Sequence, residues 1–187
     1  MLQEIIRELE TSPGQGTTIP ALQVRNWMSS EDADTLGATY GFLSNAAQIQ
    51  RVSPSLQFDE VFSFMLRYYE FCFKTDPKSQ WANSRYSAGW DLTGWFTRMW
   101  DEKRDKEYFQ AIKSLLERLY ITGTPELKKC LEDAVIEHLF ERKPIRKFFG
   151  DWAHNPQLRQ AYDAGILWVD SGGTSPLTEQ RTPKRDR

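Results

Sequence analysis

The chain has 187 residues, 40% of them apolar and 27% charged, with a formal net charge of −2. That length supports one well-covered core, and the near-neutral balance provides no general field for drawing in nucleic acid or an anionic membrane. Two cysteines in apolar helical patterns, Cys72 and Cys130, read as buried thiols, and no run nears the ~20 apolar residues of a membrane span or has the form of a secretory leader, so a soluble cytoplasmic protein is expected.

Leu2–Glu10 is a short helical pattern with Ile5, Ile6 and Leu9 apolar. The breaker SPGQG follows, and Ser12–Thr18 reads as a linker, so residues 1–19 are expected to form a loosely packed helix and tether. Pro20–Met28 predicts a second short helix with proline in its first turn. Ser30 then reads as an N-cap, with Glu31, Asp32 and Asp34 at the positive end of the helix dipole. A capped helix start is the simpler reading of these acids than an acidic docking patch. Leu36, Tyr40, Leu43 and Ala47 carry the apolar spacing to about Gln50.

Ser53–Ser55 (SPS) restarts the chain, and Gln57–Lys74 is the cleanest helix in it. Phe58, Val61, Phe62, Met65, Tyr69 and Cys72 form its stripe, and Pro77 ends the segment. Trp81–Trp100 (WANSRYSAGWDLTGWFTRMW) holds four of the seven tryptophans. At about 100° per residue, Tyr86, Trp90, Thr93, Phe96 and Trp100 share a face that Leu92, Trp95 and Met99 widen. Ser87, Asp91, Gly94 and Arg98 are left as a narrow polar strip. A helix this apolar is expected to be the buried centre of the fold. Gly89 and Gly94 are poor helix formers, and close backbone approach to a neighbour is the usual reason for such glycines.

Glu107–Ile121 is the next helix, closed by Gly123, and Thr124-Pro125 opens another as N-cap and first-turn proline. So short a connection predicts an antiparallel helical hairpin. Leu127, Leu131, Ala134, Val135 and His138 are its second buried stripe. Pro144–Trp152 reads as a short aromatic helix, and Asn155-Pro156 caps a last one to about Val169. From Ser171 periodicity ends, and residues 170–187 are expected to be a disordered tail. No β pattern and no period repeated three times appears. The fold class is all-α, a compact multi-helix bundle or an irregular stack of αα-hairpins, with one domain over 20–169.

Chemistry is harder to find. His138 falls in an apolar stripe, where a histidine satisfied by hydrogen bonding is the simpler reading than a catalytic one. His154 has no second ligand nearby, and no CxxC, HExxH or HxxxH spacing exists, so no metal and no cofactor is expected. Asp133, Glu137 and Glu141 follow an i, i+4 line as an acidic ridge, with Glu132 turned away from it. On the aromatic helix, Asp91 has Arg85 and Arg98 on neighbouring turns. If it is a structural ion pair, Asp91→Ala destabilises the fold; if it lines a groove for a partner, the melting temperature is unchanged.

At SRYSAGWDLTGWF (Ser84–Phe96) and CLEDAVIEHLFE (Cys130–Glu141) the sequence resembles an uncharacterised all-helical bacterial domain family. The order LGATYGFLSNAAQIQRV, aromatic helix, EHLFE, FFGDWAHNPQL carries the same resemblance over about Thr35 to Val169. It implies a fold rather than an activity. In size and lack of a catalytic constellation such proteins are similar to immunity proteins that neutralise toxins, an analogy of build. The leading expectation is a non-catalytic protein-binding module, a toxin-neutralising immunity protein in its sharpest form, acting by occlusion. Arg85, Asp91, Trp95 and Arg98 are the expected contacts, and Asp133, Glu137 and Glu141 suit a basic partner. The alternatives are a small hydrolase or transferase using Asp91 and His138, and a regulatory or scaffold domain.

Overall fold

A computed structural model describes residues 1–11 and 17–173. Most of the tail expected to be disordered, and most of the first linker, lie outside those residues. Within them the chain is all-α apart from one pair of two-residue strands. It divides into two compact units, the first ending at Ala88 and the second starting at Gly89.

The first unit begins with α1 (Leu2–Glu10), which the sequence places as loose but the structure ties down. Ile5 is buried, and the Glu4 carboxylate accepts from Gln23 Nε2 at 2.8 Å and from Trp27 Nε1 at 3.2 Å. Arg51, 7% exposed at its side chain, pairs with the Glu8 carboxylate. It also donates to Gln48 Oε1 at 2.5 Å and to the carbonyls of Glu8 and Thr17 at 3.2 Å. The sequence does not show these ties because Glu4 lies about 20 positions from its partners and Arg51 lies 43 from Glu8. Strand β1 (Ile19–Pro20) pairs in parallel with β2 (Val52–Ser53), Ile19 opposite Val52, a bridge too short to leave a period in the sequence.

Helices α2 (Ala21–Met28) and α3 (Ala33–Ser44) follow. The N-cap of α3 is Asp32 rather than Ser30. Its Oδ2 accepts the Thr35 N–H at 2.9 Å and the Thr35 hydroxyl at 2.7 Å, which lowers its pKa, while Ser30 Oγ accepts the N–H of Asp32. Asn45 then breaks the predicted run to Gln50 by capping a separate short helix, α4 (Ala46–Ile49). Helix α5 (Phe58–Thr75) buries Phe62, Phe64, Met65, Tyr68, Tyr69, Cys72 and Phe73. At its start Glu60 accepts from Arg25 Nε at 2.7 Å and from the Gln57 N–H at 2.9 Å. The guanidinium first, then that N–H, holds the Glu60 carboxyl down to about 2.

The connection to the aromatic helix is stitched to this unit. Ser79 Oγ accepts the N–H groups of Trp81 and Ala82, and Tyr68 Oη accepts that of Asn83 at 2.9 Å. Helix α6 (Arg85–Asp101) therefore begins four residues after Trp81, which lies in the loop. Asp76 Oδ1 accepts the Arg85 N–H at 2.8 Å, and Arg85 Nε donates to the Phe73 carbonyl at 2.8 Å.

From Gly89 on, α6 belongs to the second unit. Its buried face is Ala88, Leu92, Thr93, Phe96 and Met99; Trp90, Trp95 and Trp100 are half-buried and Tyr86 is exposed. This corrects the expectation of an indole-filled interior. The fully buried indoles are Trp27 and Trp152, each with its N–H on a carboxylate, Glu4 and Glu117. A buried indole needs an acceptor for its N–H, and both of these have one. The small residues of α6 serve contact instead. A Cβ on Gly89 would lie 2.7 Å from Ala134 Cβ, and Thr93 Oγ1 donates to the Ala134 carbonyl at 3.0 Å.

Helix α7 (Lys106–Thr122) packs on α8 (Pro125–Leu131) through the expected hairpin, with Thr124 accepting the N–H of Leu127. The helix runs on through a π turn, Glu132–Ile136, into α9 (Glu137–Phe140). Helix α10 (Lys143–Phe148), a 3₁₀ turn over Gly150–His154 and α11 (Arg159–Asp170) complete the unit. Phe96, Phe109, Phe140, Phe149 and Trp152 form its aromatic core. Gly165 lets α11 seat on Phe140 and Ile136, where a Cβ would come within 2.9 Å of both.

Candidate functional site

Three places in the second unit gather the residues singled out in the sequence. The first is the outer face of α6. Asp91, Trp95 and Arg98 stand at i, i+4 and i+7, within about 60° of arc, and Gly94 borders them. Asp91 and Arg98 are exposed, Trp95 is half-buried, and a Cβ on Gly94 would meet nothing within 4 Å. Gly89 has an internal reason to be glycine and Gly94 has none. Gly41 of α3 is open in the same way; Gly94 is distinguished by opposite charges and a large aromatic around it. Arg85 does not join this face. It projects about 120° away from Asp91 at helical spacing, and its side chain closes the end of α5.

The second place is the acidic run. A π turn over Glu132–Ile136 runs through the start of this set, and the charge of Asp133 still acts on Glu137. Glu132 is the buried member: Tyr120 Oη donates to its Oε1 at 2.5 Å and Gln160 Nε2 at 3.1 Å. Burial first, and then this carboxylate, push the Tyr120 hydroxyl pKa upward. Asp133 accepts from Lys129 at 2.6 Å. Glu137 is raised to about 7, chiefly by burial and then by the charge of Asp133, with Lys129 opposing and Glu132 adding.

Because the native Glu137 carboxyl binds its proton more tightly than the unfolded chain does, its contribution is full below the unfolded value of 4.5 and is lost as pH rises through about 7. Glu137→Gln is therefore expected to be more stable than the wild type at about pH 8. With solvent screening on a half-exposed group, the gain is about 1 kcal/mol, shrinking below about pH 5. Melting curves at the two pH values check this; a gap of equal size at both contradicts it.

The third place surrounds His138, which is 6% exposed. Its ring lies 4.2 Å from that of Trp90 and edge-on to Trp168 at 5.6 Å. Nδ1 is 3.1 Å from Glu141 Oε1, which also accepts from Trp168 Nε1 at 3.4 Å. The histidine is thus enclosed by indoles and a carboxylate, the satisfied interior arrangement. The hydrolase or transferase alternative needs an accessible base there, and this enclosure does not provide one. Glu141, expected to face a basic partner, is engaged on both neighbours.

The chain matches no protein-family model, no curated protein and no solved structure. Among the described residues no group of three or more His, Cys, Asp or Glu is placed to hold a metal ion, and no helix is long and apolar enough to cross a membrane. In the first unit an open depression of ≈ 440 Å³ is lined by Met1, Glu4, Pro20, Leu22 and Trp27, with both Glu4 oxygens already engaged. Sequence reasoning missed Glu132, Trp90 and Trp168 as partners of ionisable groups. A π turn leaves no mark on apolar periodicity, and Trp168 lies 30 residues from the histidine it covers.

Proposed function

We propose that this chain is a non-catalytic protein-binding module whose outer α6 face receives a protein partner. The observation that carries this reading is Gly94. In a helix interior glycine costs about 1 kcal/mol relative to alanine, and among the described residues nothing lies within 4 Å of where a Cβ would be. A bare backbone between Asp91, Trp95 and Arg98 gives a partner close approach, a large anchor and two opposite charges to orient it. The acidic run supports the reading less, since Asp133 and Glu141 are engaged internally. Occlusion of a toxin's active site is the sharpest form of the proposal. It is supported by the immunity-protein analogy of size and build.

Gly94→Leu tests the face without disturbing the fold. The variant is expected to melt at or above the wild-type temperature, by up to about 1 kcal/mol, because leucine is the better helix former and its Cβ meets nothing within 4 Å. It is expected to lose a partner that co-purifies with the wild type from native host cells. Undiminished capture by Gly94→Leu would refute the α6 face as the binding surface.

A further inference from the structure

The basic face of α10 is left without counter-charge, and we infer that it receives an acidic face of a partner protein. Lys143, Arg146 and Lys147 stand at i, i+3 and i+4, within about 100° of arc and opposite the buried Ile145. Lys143 and Lys147 are exposed, and Arg146 is half-buried. Among the described residues none of the three has an ion pair or a side-chain hydrogen bond. The carboxylates that the fold brings to either end of α10 are taken by other groups. Asp101 accepts from Arg142 at 2.6 Å, Asp151 pairs with Lys113, and Glu141 is engaged by His138 and Trp168. Like charges one turn apart repel, and no acid among the described residues relieves these three.

The extent of the patch decides what fills it. From Lys143 to Lys147 it covers about 6 Å of helix, and an ion pair closes each end. A nucleic-acid strand draws its affinity from many phosphates in succession and finds no track to follow here. A bilayer surface needs apolar side chains beside the charges. Ile145 and Phe149 are fully buried, however, and Phe148 is packed on Lys113 and Trp100. Two carboxylates one turn apart on a partner helix cover the same ~6 Å, and the planar Arg146 fork matches either of them. The three cations are separate from the outer α6 face, so neither surface depends on the other.

Fluorescence anisotropy of a labelled oligoglutamate peptide, titrated with the full chain at low salt, tests the assignment. Oligothymidylate and phosphatidylserine vesicles are titrated beside it at equal anionic charge. The peptide is expected to bind, to be released as salt screens the contact, and to bind more tightly than either of the others. Lys143→Gln, Arg146→Gln and Lys147→Gln together are expected to raise its dissociation constant about tenfold. Arg7→Gln, Lys74→Gln and Lys78→Gln together remove the same total charge elsewhere and are expected to change it less than about twofold. The α10 variant is expected to melt no lower than the wild type, because glutamine removes the mutual repulsion. The single reversal Lys147→Glu is expected to weaken the peptide as well. Equal losses in the two triple variants, or no binding of the peptide at all, overturn the inference. Tighter binding of oligothymidylate or of the vesicles overturns the choice of an acidic protein. A clearly lower melting temperature of the α10 variant shows the cations to be satisfied within the chain and overturns it too.

Discussion

Replacing Arg51 with alanine is expected to destabilise the first unit by about 3–5 kcal/mol, the loss that follows when one member of a buried ion pair is removed. Arg51 is the hub that joins three pieces of chain: the end of α1 through Glu8, the segment entering β1 through the Thr17 carbonyl, and α4 through Gln48. Alanine leaves the Glu8 carboxylate, 14% exposed, without the Arg51 guanidinium, and removes the donor to the part-buried Glu8 carbonyl. Lysine does not repair this, because one ammonium cannot reproduce a planar fork reaching several acceptors. The double variant Arg51→Leu with Glu8→Leu is expected to lose less than Arg51→Ala alone, since no buried charge is stranded. Denaturant titration of the three proteins orders them; equal stability of Arg51→Ala and wild type would show that α1 is not held in this way.

Gly37→Ala is the second large effect. A Cβ at this position would lie 2.3 Å from the Trp81 carbonyl carbon and 2.3 Å from the Ala82 nitrogen. These are backbone atoms, held by the Ser79 hydroxyl and by Asn83 on Tyr68, so no side chain can swing aside. Either α3 or the loop before α6 must move. The clash is expected to cost about 2–4 kcal/mol net, after the roughly 1 kcal/mol that alanine gains in helix propensity. The same change at Gly94 is expected to stabilise the fold by about 0.5–1 kcal/mol, since its Cβ meets nothing. Two mid-helix glycines thus carry opposite signs, readable from thermal melts.

The sequence shows neither sign. Both glycines interrupt a helical pattern, and only the three-dimensional neighbour tells an internal contact from an open face. Helix positions were legible where apolar spacing and caps agreed: α5, and the Thr124-Pro125 start of α8, stand within a residue of expectation. His138 was legible too, because an apolar stripe one turn beyond Ala134 puts it inside. The indoles of α6 misled, since apolar count ranks tryptophan high while Trp90, Trp95 and Trp100 stand half-buried. Arg51 and Glu132 were invisible for a different reason. Their burial depends on partners at Glu8, Thr17, Tyr120 and Gln160, far along the chain, and charge alone places both in solvent.

The account comes down to whether the polar strip on α6 meets another protein molecule. The most direct measurement places a photo-activated cross-linking amino acid in place of Trp95 in the full chain, in its native host, and identifies the adduct by mass spectrometry. An intermolecular adduct is expected, with a peptide of another protein molecule as its attached mass. Irradiation that yields only cross-links within the same chain, from a protein that remains folded, would contradict the account.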